Sequence, residues 1–384
     1  MTRSARILTA ALLGALGLVP AASAQVMAPV RMTPGVRQAQ ALAAPAAPGA
    51  AAAPAPVVSS VAGPGLLPGA PVSSVTAAPT VVAAPTQVAG APVVLETQDQ
   101  AWSECFVGAG GASRRLFESD HAFDNFISPI SNAVLSKDPR SLTEVCALYI
   151  YDDIPNDNQA LGGGNFHVAA AQVRVALTDR LTFIADKDGY AWINPTNVPG
   201  GVDGWLSIAL GLKYLFVRDV ENQFLWSGGF QFEVPTGEAD VFQADGNGIM
   251  TVFTTVGKQI GDCNHFVGTF GYQFPMNSTY QSNFLYTSLH LDRQIGKFYP
   301  LFEANWFQYL GGGNHGIPSI VGEGDGLINI GTSGVAGNCL VFLGPGLAYK
   351  PGPHMEIGAV WEFPVTGRRD LLDNRLTSHL ILRY

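Results

Sequence analysis

Charge is scarce in this 384-residue chain: only 13 % of residues are Asp, Glu, Lys or Arg, against about 25 % in ordinary globular proteins. Positive charge is scarcer still, with 21 Lys and Arg against 30 Asp and Glu and a formal net charge of −9. Without clustered cations to neutralise phosphates, nucleic acid is excluded as a partner. No run of about 20 apolar residues follows the first two dozen, which excludes membrane-spanning helices. The four cysteines, Cys105, Cys146, Cys263 and Cys339, form no CxxC pair. The seven histidines, at 121, 167, 265, 290, 315, 354 and 379, form neither HxxxH nor HExxH, so no metal site is expected. There is no GxSxG elbow. The glycine clusters at 162–164, 199–201 and 311–313 belong to loops. The expectation is a protein that is not an enzyme and carries no cofactor.

What is present points to a membrane of another kind. Mean hydropathy is +0.19, aromatics make up 10 % of the chain, and there are 44 glycines. High hydropathy without long apolar runs is the composition of a transmembrane β-barrel, whose lipid-facing residues alternate with lumen-facing ones.

The chain divides into four parts. Residues 1–24 read as a signal peptide: Arg3 and Arg6, an apolar run from Ile7 to Val19, then Ala22-Ser23-Ala24 before Gln25. Residues 25–98 read as a disordered Pro/Ala-rich linker, uncharged from Gln38 to Leu95, where proline density forbids helix and sheet ladders. Residues 99–141 read as a periplasmic lead-in or plug segment. Phe117, Phe123, Phe126 and Ile130 there suggest a short helix or a plug, with Pro129 and Pro139 limiting any helix. Residues 142–384 read as the barrel.

Twelve spanning strands are expected, at 142–153, 165–178, 181–188, 204–217, 222–234, 249–259, 264–275, 283–293, 298–310, 338–350, 354–364 and 375–384. Alternation sets their faces. Leu206, Ile208, Leu210, Leu212, Tyr214 and Phe216 fall on one side of a strand, Ser207, Ala209, Gly211 and Lys213 on the other. Short connections alternate with longer loops at 154–164, 189–203, 235–248, 276–282, 311–337 and 365–374. Gly326 to Val335 would make a thirteenth strand and an odd count, so it is assigned to the 311–337 loop, folded inward. A secreted β-sandwich is the competing architecture, but its outward faces would be polar.

The end of the chain, "LTSHLILRY", resembles the terminal-aromatic assembly signal of Gram-negative-type outer-membrane barrels, with Tyr384 last and Leu382 and Leu380 at alternate positions before it. The stretches "DHAFDNFISPISNAVLSKDPRSLTEV", "LTDRLTFIADKDGY" and "WEFPVTGRRDLL" are similar to outer-membrane, transporter-like barrels grouped with phenol meta-cleavage pathway proteins. The resemblance covers about residues 120–384 and implies outer-membrane location, lipid contact and assembly by the barrel-assembly machinery.

The expected lumen-lining charges are Arg174, Asp186, Lys213, Glu233, Asp292, Glu303, Glu356, Glu362 and Arg383, an acidic excess implying modest cation preference. His265, His290, His354 and His379 are placed on the same face, and His167 on the lipid face. A Cys105–Cys146 bridge pinning the lead-in segment is one reading; free buried thiols are the other. The function expected is passive passage of small solutes, including hydrophobic or aromatic ones. The alternative is a structural barrel with a blocked lumen, its linker bound to the cell wall. An outer-membrane hydrolase ranks lower.

Overall fold

The computed structural model describes residues 114–384; the expected signal peptide, the linker and Cys105 lie outside the described residues. The strands are β1 (Glu144–Ile154), β2 (Gly164–Ala176), β3 (Leu181–Lys187), β4 (Tyr190–Pro195), β5 (Val202–Trp205), β6 (Ile208–Asp219), β7 (Phe224–Val234), β8 (Ile249–Ile260), β9 (Asn264–Pro275), β10 (Asn283–Arg293), β11 (Phe298–Gly311), β12 (Cys339–Gly352), β13 (Met355–Pro364) and β14 (Asn374–Arg383). Three single 3-10 turns complete the regular structure, and no helix among the described residues is long and apolar enough to cross a membrane.

All strands belong to one antiparallel sheet, and β1 pairs with both β2 and β14, so the sheet closes on itself. Closure pairs the wall strands on both edges, which a sheet in lipid requires; the short β5 has one ladder partner, β4. Twelve staves make the wall, because β3 and β4 both pair with β2 and together form the third stave, while β5 and β6 form the fourth. The 189–203 segment expected as a loop is therefore largely strand: β4 and β5 prolong staves three and four as a hairpin.

Both staves are broken at the same height. Inward residues are Thr182, Ile184 and Asp186 below the first break, but Ala191 and Ile193 above it. On the fourth stave Leu206 and Ser207 are both buried. A bulge shifts the two-residue period by one and sends the following side chains to the opposite face. It brings Lys187 inside, and it turns Leu206 inward where unbroken alternation places it outward.

The outward face is apolar. Tyr214, Phe216, Trp226, Phe230, Phe270, Phe302, Leu347, Ile357, Trp361 and Leu376 are among its exposed residues. Such a surface aggregates in water and is satisfied in lipid. Connections at one end of the barrel are short, as at 261–263 and 294–297. At the other end they are long, the longest running from 312 to 338.

Candidate functional site

The interior of the barrel is full. Residues 119–141 form a strap that rises into the lumen and returns. Its ends meet at the short-turn end, where the Asp120 N–H donates to the Ser141 carbonyl at 2.9 Å. Apart from one 3-10 turn, His121–Phe123, the strap is irregular; the helix that its phenylalanine spacing suggested is absent. An irregular buried segment cannot satisfy its own backbone groups, so other groups must. The wall supplies them. Glu303 accepts the N–H groups of Ile130 and Ser131 at 2.9 and 2.6 Å, and Glu356 accepts Ser128 N–H at 3.0 Å. Lys213 Nζ donates to the Arg140 carbonyl and Lys350 Nζ to the Phe126 carbonyl, both at 2.7 Å. Strap charges join in: Lys137 pairs with Asp186 at 2.7 Å, and Arg140 with Asp138 at 2.6 Å.

All nine charges expected in the lumen are buried. They are connected rather than scattered. Arg383 reaches Glu144 at 2.7 Å, Glu144 takes Arg174 at 2.6 Å, and Arg174 takes Asp186 at 3.1 Å. Asp292 and Glu303 hold His290 between them at 3.1 and 2.6 Å. Glu233 pairs with Lys187 at 2.7 Å, and Glu362 with Arg375 at 2.8 Å. His265, His290 and His379 are buried among these groups, whereas His354 is exposed in a turn and leaves the lumen set. Tyr384 is exposed, in line with outward-facing Leu380 and Leu382.

Sequence reasoning missed Glu144, Asp152, Lys187, Lys350 and Arg375 on the wall, all buried. The bulge conceals Lys187, and Lys350 sits at a strand end. With these, the strap's Asp120, Lys137, Asp138 and Arg140 and the inner loop's Glu323 counted, eleven buried acids stand against eight buried bases, so the acidic excess of three is kept although most of these charges are paired. Cys146 is buried on the inward row of β1 and Cys263 is exposed. The proposed bridge to Cys105 falls outside the described residues.

The long-loop half of the lumen differs from this polar half. Phe166, Phe253, Phe284, Phe307, Tyr309 and Phe342 point inward there and form one buried apolar cluster. The 312–338 loop folds into it, placing Leu327, Ile328, Ile330 and Val335 in the same cluster. Gly326 to Val335 is not a strand, in agreement with its assignment to an inward loop. Glu323, 1 % exposed, organises this loop by accepting Gly324, Ile330 and Thr332 N–H and Ser282 Oγ–H at 2.6–3.0 Å. Burial pushes its carboxyl above the usual range, and these bonds oppose that shift. Strap and loop touch where Leu135 packs over Gly326.

No family model and no curated protein matches the chain. Among solved structures, an outer membrane channel from Pseudomonas putida F1 aligns with a TM-score of 0.47 at 11 % identity, over 67 % of this chain and 100 % of that one. The NanC porin aligns with a TM-score of 0.40 at 8 % identity, over 63 % and 100 %. The KdgM porin in complex with disordered oligogalacturonate gives 0.38 at 8 %, over 63 % and 99 %. At these scores the likeness bears on neither substrate nor activity.

Proposed function

We propose that the protein is an outer-membrane channel for small apolar or aromatic solutes, closed in the state described by its own strap and inner loop. The observation that carries this reading is the apolar long-loop half of the lumen. A path for hydrophilic solutes is polar along its length; here phenylalanines line the wall and four aliphatic side chains of one loop fill the space between them. A loop without ladder hydrogen bonds opens at lower cost than a strand. A solute that covers the same aromatic surface offsets the cost of exposing it, so solute occupancy and loop opening favour one another. Outward-facing Tyr384, Leu382 and Leu380 suit recognition by the barrel-assembly machinery, and the Pro/Ala-rich linker suits contact with the cell wall.

One observation favours a structural barrel with a blocked lumen instead: the strap's backbone is extensively hydrogen-bonded to the wall. Planar-bilayer recording separates the two. For a closed channel, a paired Ile328→Ser, Ile330→Ser substitution in the full chain should raise KCl conductance well above that of the intact protein. Phenethyl alcohol should then produce discrete current changes and glucose none. Silence from both proteins favours the blocked barrel.

A further inference from the structure

In the aromatic half of the lumen there is a charged cluster whose charges do not balance. Arg375 pairs with Glu362 at 2.8 Å and also with Asp325 on the inner loop. Asp152 stands opposite Arg375 in the β1–β14 register, 5 % exposed. Its Oδ1 is buried with no hydrogen-bond partner. Thr377, the next inward residue of β14, is 1 % exposed, and its Oγ1 also lacks a partner. Thr377 lines a small cavity with Arg375, Asp325, Leu327, Ile150 and Val134, at the place where strap, inner loop and wall meet. Two carboxylates thus pair with one guanidinium, a third stands opposite it in the β1–β14 ladder, and two buried polar atoms of neighbouring inward positions, Asp152 Oδ1 and Thr377 Oγ1, remain unanswered.

We infer that the solute accepted here carries a protonated amine, its ammonium seated beside Asp152 and Thr377 and its apolar body in the aromatic half of the lumen. The inference rests on the channel reading above and names its substrate class. A buried carboxylate oxygen without a donor is unfavourable by roughly 1–3 kcal/mol or more. An ammonium supplies three donors and a compact positive charge. A solute carboxylate finds no free cation, because Arg375 is already held by Glu362 and Asp325. A bare metal ion suits the site poorly: among the described residues no three His, Cys, Asp or Glu side chains converge to hold one, and Ile150, Leu327 and Val134 supply apolar walls. An organic cation matches both parts.

Three probes of one shape test this: phenethylamine, phenethyl alcohol and 3-phenylpropanoate, each bound to the full chain in detergent micelles and measured by equilibrium dialysis at neutral pH. The amine should bind about tenfold more tightly than the alcohol, a difference of about 1.4 kcal/mol, and the acid more weakly than either. Asp152→Asn should bring the amine down to the level of the alcohol, and Thr377→Val should remove part of the preference. Should Asp152→Asn fail to assemble, Thr377→Val reads the same geometry. Equal binding of amine and alcohol, or an amine preference that persists in both variants, overturns the inference and leaves the channel reading standing. If none of the three binds and none alters the current, both readings fall together.

Discussion

Arg383, at the end of the last strand, donates its Nε–H to Glu144, at the start of the first, across 2.7 Å with both side chains buried. The seam of the barrel is thereby joined by a charge pair 239 residues apart in sequence. Glu144 also holds Arg174 on β2. Replacing it takes one carboxylate from each of two buried guanidiniums, leaving Arg174 to Asp186 and Arg383 to Glu356 at 3.5 Å. We expect Glu144→Ala to destabilise the folded barrel by about 3–5 kcal/mol, read as a lower midpoint for loss of heat-modifiable migration. A midpoint within experimental error of the intact protein would show that seam pairing depends on the backbone ladder alone.

The strap hangs on Glu303. As a carboxylate it accepts two backbone N–H groups with charge-assisted strength; as an amide it offers one neutral carbonyl. Glu303→Gln should weaken strap docking by about 1.4 kcal/mol, a roughly tenfold rise in the undocked fraction. Hydrogen exchange at the Ile130 and Ser131 amides checks it, and unchanged protection there would assign the docking to other contacts.

The inner loop has a conformational requirement at Gly331. Its φ is +70°, and a Cβ added there would collide with the Tyr280 carbonyl oxygen. Gly331→Ala therefore has to shift the loop, at a cost above the ~1 kcal/mol usual for a left-handed alanine. The expected reading is increased leak conductance with the barrel still folded.

Acid should tighten the long-loop end. Asp370, in the 365–373 loop, has φ +51° and a buried Oδ2 without a partner. Burial pushes its carboxyl up to about 6, against the opposing pull of Arg368, with Glu323 adding to the rise. Because the folded value lies above the unfolded one, about 3.9, the stabilisation is full below pH about 4. It is lost as pH rises through about 6. Protection of the Thr332 amide should fall between pH 5 and 7.5, and Asp370→Asn should flatten that dependence. A rise in protection over the same interval would reverse the sign argued here.

Tyr384 completes the outward apolar row of β14, and its N–H donates to the Thr143 carbonyl at 2.9 Å. Deleting it should reduce the yield of heat-modifiable protein in the membrane several-fold. Normal yield would remove the terminal aromatic from the assembly signal.

Period-two alternation was enough to place most of the wall, because lipid on one side and lumen on the other impose opposite demands on neighbouring residues. Thus Ile208, Leu210 and Tyr214 point outward while Lys213, Glu356 and Arg383 point inward. The same pattern, with the alternation of short and long connections, gave the twelve staves and kept Gly326–Val335 out of the count. It misplaced Lys187 and Leu206, since a bulge inserts one residue and no local signal announces the change of phase. It also failed for the lumen's contents. The inward Phe284, Phe307 and Phe342 look like noise in a polar row until Ile328 and Ile330 of the 312–338 loop fold into the lumen and cover them. Nor does sequence show that the buried carboxylates serve the strap: Glu303 lies 173 residues from Ile130. Alternation is a local property, written residue by residue by the membrane. The filling of the lumen is non-local, because an irregular segment needs hydrogen-bond partners wherever the closed wall can offer them, and only the closed wall brings those partners together.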